Sequence, residues 1–267
     1  MSGDQPDCLV EQEGPVVVVT LNRPEKKNAL SQEMLVLMAD AWARIDADPE
    51  VRCAILTGAG GTFCAGADLK AMSAGHPANE RWKHRFEGDP DLHWKALLRH
   101  YRLRKPLVAA VEGFAVAGGT EILQATDIRV AAETAVFGVT EVTRGLFPLG
   151  GSTVRLRRQI PYTRAADILL TGRHVPAREA YEIGLVSHLV PEGQALARAR
   201  EIAAAIAANA PLSVQAVLRS LRETEGMPET EALVREAEIG LPVFASEDAR
   251  EGPRAFAEKR KPEYRGR

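Results

Sequence analysis

Short apolar runs of strand character alternate with helix-spaced apolar residues over roughly the first two-thirds of this chain, and that alternation points to an α/β fold. Val16-Val17-Val18-Val19-Thr20-Leu21 follows Pro15 and stops at Asn22-Arg23-Pro24, which reads as a buried strand ended by a turn. Ser31 stands where a helix N-cap belongs. Met34, Leu35, Leu37, Met38, Ala41, Trp42 and Ile45 follow at helical spacing and define one apolar face. Cys53-Ala54-Ile55-Leu56-Thr57 is a second strand, broken by Gly58-Ala59-Gly60-Gly61. Leu107 to Val111 is a third, with a turn at Glu112-Gly113 and a short helix opening near Gly118-Gly119. Ile128-Arg129-Val130-Ala131 is strand again.

After Pro191 the pattern becomes helical throughout. Segments 192–208, 211–225, 229–244 and 246–260 are rich in Ala, Leu, Arg and Glu, punctuated by Pro211, Pro228 and Pro242. The expected organisation is an α/β core over 1–195 with a helical region over 196–267, both parts of one structural unit. No internal repeat or low-complexity segment is found, and Ser73 to Pro90 is the stretch expected to be most mobile.

Charge excludes some partners. Lys and Arg total 34 against 36 Asp and Glu, a formal net charge of -2, which gives no electrostatic drive toward nucleic acid or an anionic membrane. The first residues are acidic and polar without an export signal, and no apolar stretch approaches the ~20 residues that span a bilayer. Cys8, Cys53 and Cys64 have no paired or metal-type spacing and read as free thiols of a cytoplasmic protein.

Several motifs can be set aside. Gly58-Ala59-Gly60-Gly61-Thr62-Phe63 starts like a dinucleotide fingerprint but has Phe63 where the third glycine belongs. Ser152 follows Gly150-Gly151, yet Thr153-Val154 rules out a nucleophile elbow. The six histidines show no metal-binding cluster, and no metal is expected. Trp82 to Lys105 mixes Arg, Lys, Trp and Tyr, and is expected to be a solvated helix roofing a pocket rather than an RNA-binding patch.

Two small-residue segments remain: Phe63-Cys64-Ala65-Gly66-Ala67-Asp68-Leu69-Lys70 and Ala115-Val116-Ala117-Gly118-Gly119-Thr120-Glu121. Tiny side chains at strand-to-helix junctions leave backbone N–H groups open to a ligand, and one donor from each segment can build an oxyanion hole. Glu121 lies on the first turn after Gly118, and Glu141 follows in Phe137-Gly138-Val139-Thr140-Glu141. Two carboxylates can share one water and divide acid and base roles if their environments separate their pKa values. Taken singly, each has a plain reading, a favourable charge at a helix N-terminus and a solvated loop glutamate. Spacing by itself reaches no further than an enzyme with acid–base chemistry.

At these residues the chain resembles the crotonase superfamily, and enoyl-CoA hydratases in particular, with actinobacterial members the most similar. Leu21-Asn22-Arg23-Pro24-Glu25-Lys26-Lys27-Asn28-Ala29-Leu30 resembles the family's opening motif, and Pro253 to Arg260 its carboxy-terminal helix. Phe63 to Lys70 and Val111 to Glu121 resemble its two oxyanion loops. The resemblance implies a spiral of ββα units with a C-terminal helical trimerisation region, assembled as a trimer or dimer of trimers. It implies backbone donors at Ala67 and Gly118, and Glu121 and Glu141 holding a water that adds to a trans-2-enoyl-CoA. Glu141 is favoured as proton donor and Glu121 as water activator. Coenzyme A would lie along Ala65, Gly66, Asp68 and Leu69, with Lys26 or Lys27 reaching its phosphates. No separate cofactor is implied, because coenzyme A is part of the substrate and the thioester is the electron sink.

The chain departs from the common hydratase pattern at Glu112, where asparagine is usual, at Ala117 for glycine and at Thr140 for proline. Leu149 and Ser152 replace small residues. All are expected to bear on the acyl pocket, leaving fatty and steroid side-chain thioesters both open as substrates. Rival readings are an enoyl-CoA isomerase, which needs only one of the two carboxylates, a thioester hydrolase of the same fold, and a noncatalytic RNA-binding member.

Overall fold

The computed structural model describes residues 5–68 and 80–267. Strand β1 (Cys8–Glu13), which ends in three polar residues and has no clear apolar run, pairs antiparallel with β2 (Val16–Leu21). β2 then pairs in parallel with β3 (Cys53–Gly58). β4 (Leu107–Val111), β6 (Ile128–Ala132) and β9 (His188–Val190) extend this sheet, all parallel, in the order β1-β2-β3-β4-β6-β9. Parallel strands covered on both faces become continuous apolar runs. That is why β2, β3, β4 and β6 stand out in the sequence.

A second sheet holds β5 (Phe114–Val116), β7 (Val136–Gly138) and β8 (Val175–Pro176) in that order. The chain gives β4 to the large sheet, β5 to the small one and then a helix; β6 and β7 repeat the step. This is the expected spiral of ββα units.

Helix α1 (Gln32–Ala47) begins where the Ser31 hydroxyl accepts the Met34 amide at 3.0 Å. Its buried face includes Met34, Leu35, Met38, Ala41, Trp42 and Ile45 as the periodicity predicts. Val36 joins them and Leu37 is only half-buried, so the stripe is rotated slightly from expectation. The Trp42 indole donates to the Ala96 carbonyl at 2.9 Å and pins the following segment to α1.

That segment differs from expectation. Residues 80–105 form two helices, α2 (Glu80–Gly88) and α3 (Leu92–Ala96), and Leu92, Ala96, Leu97, Leu98 and Leu103 are buried. Its apolar residues recur densely enough to enter the core, so it is not one solvated helix. Of the stretch expected to be mobile, 73–79 lies outside the described residues and 80–88 is helical.

Helix α4 (Gly118–Leu123) follows β5, and α5 (Ser152–Gln159), α6 (Tyr162–Thr171) and α7 (Ala177–Glu182) lie between β7 and β9. Helix α8 (Ala195–Ala207) sets Ala195, Ala199, Ala203 and Ala207 along one stripe against Val16, Val18, Ile55, Val108 and Val130. α9 (Pro211–Glu223), α10 (Glu229–Gly240) and α11 (Glu247–Ala257) complete the chain. Arg52, at the start of β3, donates to the carbonyls of Ala207 and Tyr264 at 3.0 and 2.6 Å. The terminal segment is thereby tied to the N-terminal ends of the strands, away from the loops that leave their C-terminal ends. Among the described residues no single helix is long and apolar enough to cross a membrane.

Candidate active site

Two loops leave the C-terminal ends of β3 and β4 and run side by side. The Cys64 amide donates to the Phe114 carbonyl at 2.8 Å, and the Val116 amide returns a bond to the Cys64 carbonyl at 3.0 Å. The opening motif braces the first loop. Asn28, fully buried, donates from Nδ2 to the carbonyls of Ala59 and Thr62 at 2.9 and 2.6 Å, while its Oδ1 accepts the Arg23 amide at 2.8 Å. The Leu30 amide donates to the Gly66 carbonyl at 2.8 Å, leaving Ala67 at the loop's exposed edge.

The approach of the two loops explains their small residues. A Cβ on Gly66 would lie 2.8 Å from the Ala117 Cβ and 3.2 Å from the Gly118 nitrogen. A Cβ on Gly118 would lie 4.0 Å from the Ala67 nitrogen. The amides of Ala67 and Gly118 are therefore neighbours across the loop pair. Among the described residues, neither donates to another protein group. Two adjacent free donors on rigid backbone can stabilise an oxyanion. Ala117, just before them, adopts φ 50 and ψ -125, a conformation that glycine tolerates far better than a residue with a Cβ.

Glu121 is carried on the first turn of α4 and is buried. The N-terminus of α5 meets its carboxylate: the Ser152 amide donates to Oε1 at 3.4 Å, and Gly150 packs against it. Burial raises its pKa above the ordinary carboxylate value, and the polar groups of Gly150, Gly151 and Ser152 counter the rise by favouring the charged form. Glu141 opens a 3-10 turn (Glu141–Arg144) after β7. Its Oε2 is buried without a hydrogen-bond partner. Desolvation first, then repulsion by Glu121, pushes Glu141 up to about 7, and its own backbone amide offsets this only partly. The fold thus brings into electrostatic contact two carboxylates in different environments. Glu121 is solvated by a helix N-terminus, and Glu141 is left short of donors.

Other residues of the sequence reading fall around this centre. The Ala65 amide donates to the Lys27 carbonyl at 3.0 Å, so the Lys26-Lys27 turn adjoins the first loop. Both lysines are exposed, and the Lys27 ammonium lies 5.0 Å from the centroid of the Phe114 ring. The Asp68 carboxylate pairs with Arg23 at 3.4 Å, which ties it to the loop brace. Leu69 lies outside the described residues. The Cys64 thiol is buried and pushed up to about 12 by desolvation, which suits a packed side chain and not a nucleophile.

Two departures have local explanations. The Glu112 carboxylate accepts the amides of Gly193 and Ala195 at 3.1 and 3.0 Å, capping α8. This is a packing role, not the expected influence on the acyl pocket. Ser152 supplies its backbone amide to Glu121. Sequence reasoning missed Asn28 as a brace and Gly150-Gly151-Ser152 as a carboxylate cradle. The available signal was a Gly-Gly-Ser sequence opening a helix, which marks an anion-binding N-terminus without revealing its anion.

Comparison with known proteins agrees with this geometry. The family model for enoyl-CoA hydratase/isomerase matches residues 11–267. The chain is 59% identical over 262 residues to enoyl-CoA hydratase EchA19 of Mycobacterium tuberculosis, covering 98% of this chain and 97% of that protein. It is 39% identical over 261 residues to the (E)-benzylidenesuccinyl-CoA hydratase of Thauera aromatica, covering 96% and 98%. The crystal structure of an enoyl-CoA hydratase from M. tuberculosis H37Rv superposes with a TM-score of 0.89 at 42% identity, covering 98% of this chain and 100% of that one. The chain belongs to the enoyl-CoA hydratase/isomerase family.

Proposed function

We propose that this chain adds water across the 2,3 double bond of a trans-2-enoyl-CoA thioester to give a 3-hydroxyacyl-CoA. The observation that carries the reading is the unequal pair of carboxylates. Glu121, held by the α5 N-terminus, is suited to accept a proton from water; Glu141, desolvated and repelled by Glu121, is suited to deliver one. The amides of Ala67 and Gly118 receive the thioester oxygen as charge moves onto it, so electrons withdrawn from the double bond have a place to go. Hydroxyl adds at Cβ, and the Glu141 proton reaches Cα. An isomerase needs one such carboxylate, and a second one paired with it across the site supports hydration.

Coenzyme A enters as part of the substrate. Its adenine and pantetheine are assigned to the loop at Ala65, Gly66, Asp68 and Leu69, and Lys26 and Lys27 on the adjoining turn supply positive charge for its phosphates. No metal or redox cofactor takes part in this scheme. A trimer or dimer of trimers is the proposed assembly. Leu233, Val234, Leu241, Phe244 and Phe256 are exposed on and between α10 and α11, which supports association through that region. The enzyme is assigned to the cytoplasm, with no nucleic-acid or membrane partner, and to fatty acid or steroid side-chain β-oxidation.

A panel of enoyl-CoA thioesters of increasing acyl size, including steroid side-chain thioesters, tests the reading. Loss of the enoyl-thioester absorbance with formation of the hydroxyacyl product is expected for at least one member. No turnover across the panel contradicts it, and retention of RNA in a parallel filter-binding assay would then favour the noncatalytic alternative.

A further inference from the structure

A buried hydroxyl that the reaction scheme leaves unused joins the two strands from which the reacting groups depart. Thr120 sits on the first turn of α4, between the oxyanion donor at Gly118 and the carboxylate of Glu121, and is 2% exposed. Its hydroxyl donates to the Ala115 carbonyl of β5 at 2.5 Å and accepts the Gly138 amide of β7 at 3.1 Å. The Gly138 carbonyl in turn accepts the Ala117 amide at 2.7 Å. Glu141 follows Gly138 by three residues and opens the 3-10 turn.

This junction lies where the regular pairing stops. Val116 opposite Gly138 is the last rung of the β5–β7 ladder. Beyond it one chain turns through Ala117, at φ 50 and ψ -125, toward Gly118, and the other runs on to Glu141. A conformation of that kind persists only where the surroundings hold it. No side chain caps α4 at Ala117, so the turn is closed instead by Thr120 reaching back to the Ala115 carbonyl. A hydroxyl has one proton and two lone pairs, so a single Oγ serves the carbonyl of one strand and the amide of the other. Valine has the same shape and can make neither bond.

We propose that Thr120 is a positioning residue: its hydroxyl locks β5 to β7 at their last rung, and so fixes the Gly118 amide and Glu141 in the relative position that hydration needs. The proposal rests on the hydratase reading and deepens it. The oxyanion donor and the proton donor act on adjoining atoms of one substrate, and a small slip between the strands that carry them separates the two.

The test is steady-state hydration of a trans-2-enoyl-CoA that the natural chain turns over, read for Thr120→Val and Thr120→Ser. Misplacement by an ångström costs ~10–100-fold in rate, and Thr120→Val should lower kcat by at least ~10-fold. KM should stay within about threefold, since the coenzyme A contacts proposed above are untouched. Thr120→Ser keeps the hydroxyl and should return kcat to within about threefold of the natural chain. In a Glu141→Gln background Thr120→Val should cost less than it does alone, because one of the groups it places no longer transfers a proton. Should Thr120→Val not fold, Thr120→Ala is read in its place. A variant that melts earlier yet keeps the natural kcat overturns the proposal, because the hydroxyl then serves stability alone. Thr120→Ser as slow as Thr120→Val, or full additivity with Glu141→Gln, overturns it as well. If the natural chain hydrates no thioester, the hydratase reading itself fails before any variant is compared.

Discussion

Gly150 lies so close to the Glu121 carboxylate that a Cβ at position 150 would fall 2.5 Å from Oε2 and 2.9 Å from the Glu121 Cβ. The glycine is what lets the start of α5 present its amides to that acid. Gly150→Ala must push Glu121 aside or open the cradle. Misplacing a reacting group by an ångström costs ~10–100-fold in rate, and kcat should fall by that much while KM changes little. Steady-state kinetics of the folded variant check this, and an unchanged kcat would mean the cradle does not place Glu121.

The two carboxylates set opposite limbs of the pH profile. Glu141 acts protonated, with a carboxyl pushed up to about 7, so activity should decline as pH rises through that region. Glu121 acts ionised, and its raised pKa puts the acid limb above the ordinary carboxylate range. Stability follows the same sign for Glu141. A pKa raised by folding contributes stability below the unfolded value, and that contribution is lost as pH rises through the folded one. Glu141→Gln should therefore gain thermal stability relative to the natural chain at pH 8 and not at pH 4. Melting curves at the two pH values check it; an equal shift at both would contradict the raised pKa.

Ala117 stores backbone strain at the start of α4. With φ 50 and ψ -125, its Cβ sits in a region that costs about 1–3 kcal/mol for an L-residue. Glycine removes that cost but adds ~0.5–1 kcal/mol of unfolded-state entropy. Ala117→Gly should raise Tm by a few degrees, and a lower Tm would show that the strain is relieved elsewhere. Thermal unfolding measures the difference directly.

Asn28 bonds three backbone groups, one in the opening motif and two in the turn that leads into the first oxyanion loop, and is itself in the left-handed region at φ 53, where asparagine is well tolerated. Asn28→Ala strands those groups, and each unpaired buried group costs about 1–3 kcal/mol. A loss of several degrees in Tm is expected together with a fall in kcat/KM, because Ala67 hangs from the same loop. A variant as stable as the natural chain would remove Asn28 as the brace.

The legible parts of this molecule were those whose physics is local. β2, β3, β4 and β6 are mostly apolar because both faces are covered, and Ser31 caps α1 within its own turn. The strands of the small sheet are two or three residues long, too short to show a period, and β1 is half polar because its outer edge is open. In the site, Ala67, Gly118, Glu121 and Glu141 were found through glycine-rich segments and a family resemblance. Their supporting partners join residues far apart in the chain: Ser152 to Glu121, Glu112 to Ala195, Arg23 to Asp68. Each partner has an ordinary surface role when read alone, and only the folded spiral brings it to its target.

Replacing each carboxylate by its amide tests the shared-water scheme most directly. Glu121→Gln and Glu141→Gln keep shape and burial while removing the ability to take or give the proton. Each should lower kcat for hydration by at least ~100-fold while binding of the enoyl-CoA survives. A natural kcat in either variant would contradict the claim that this pair carries the reaction.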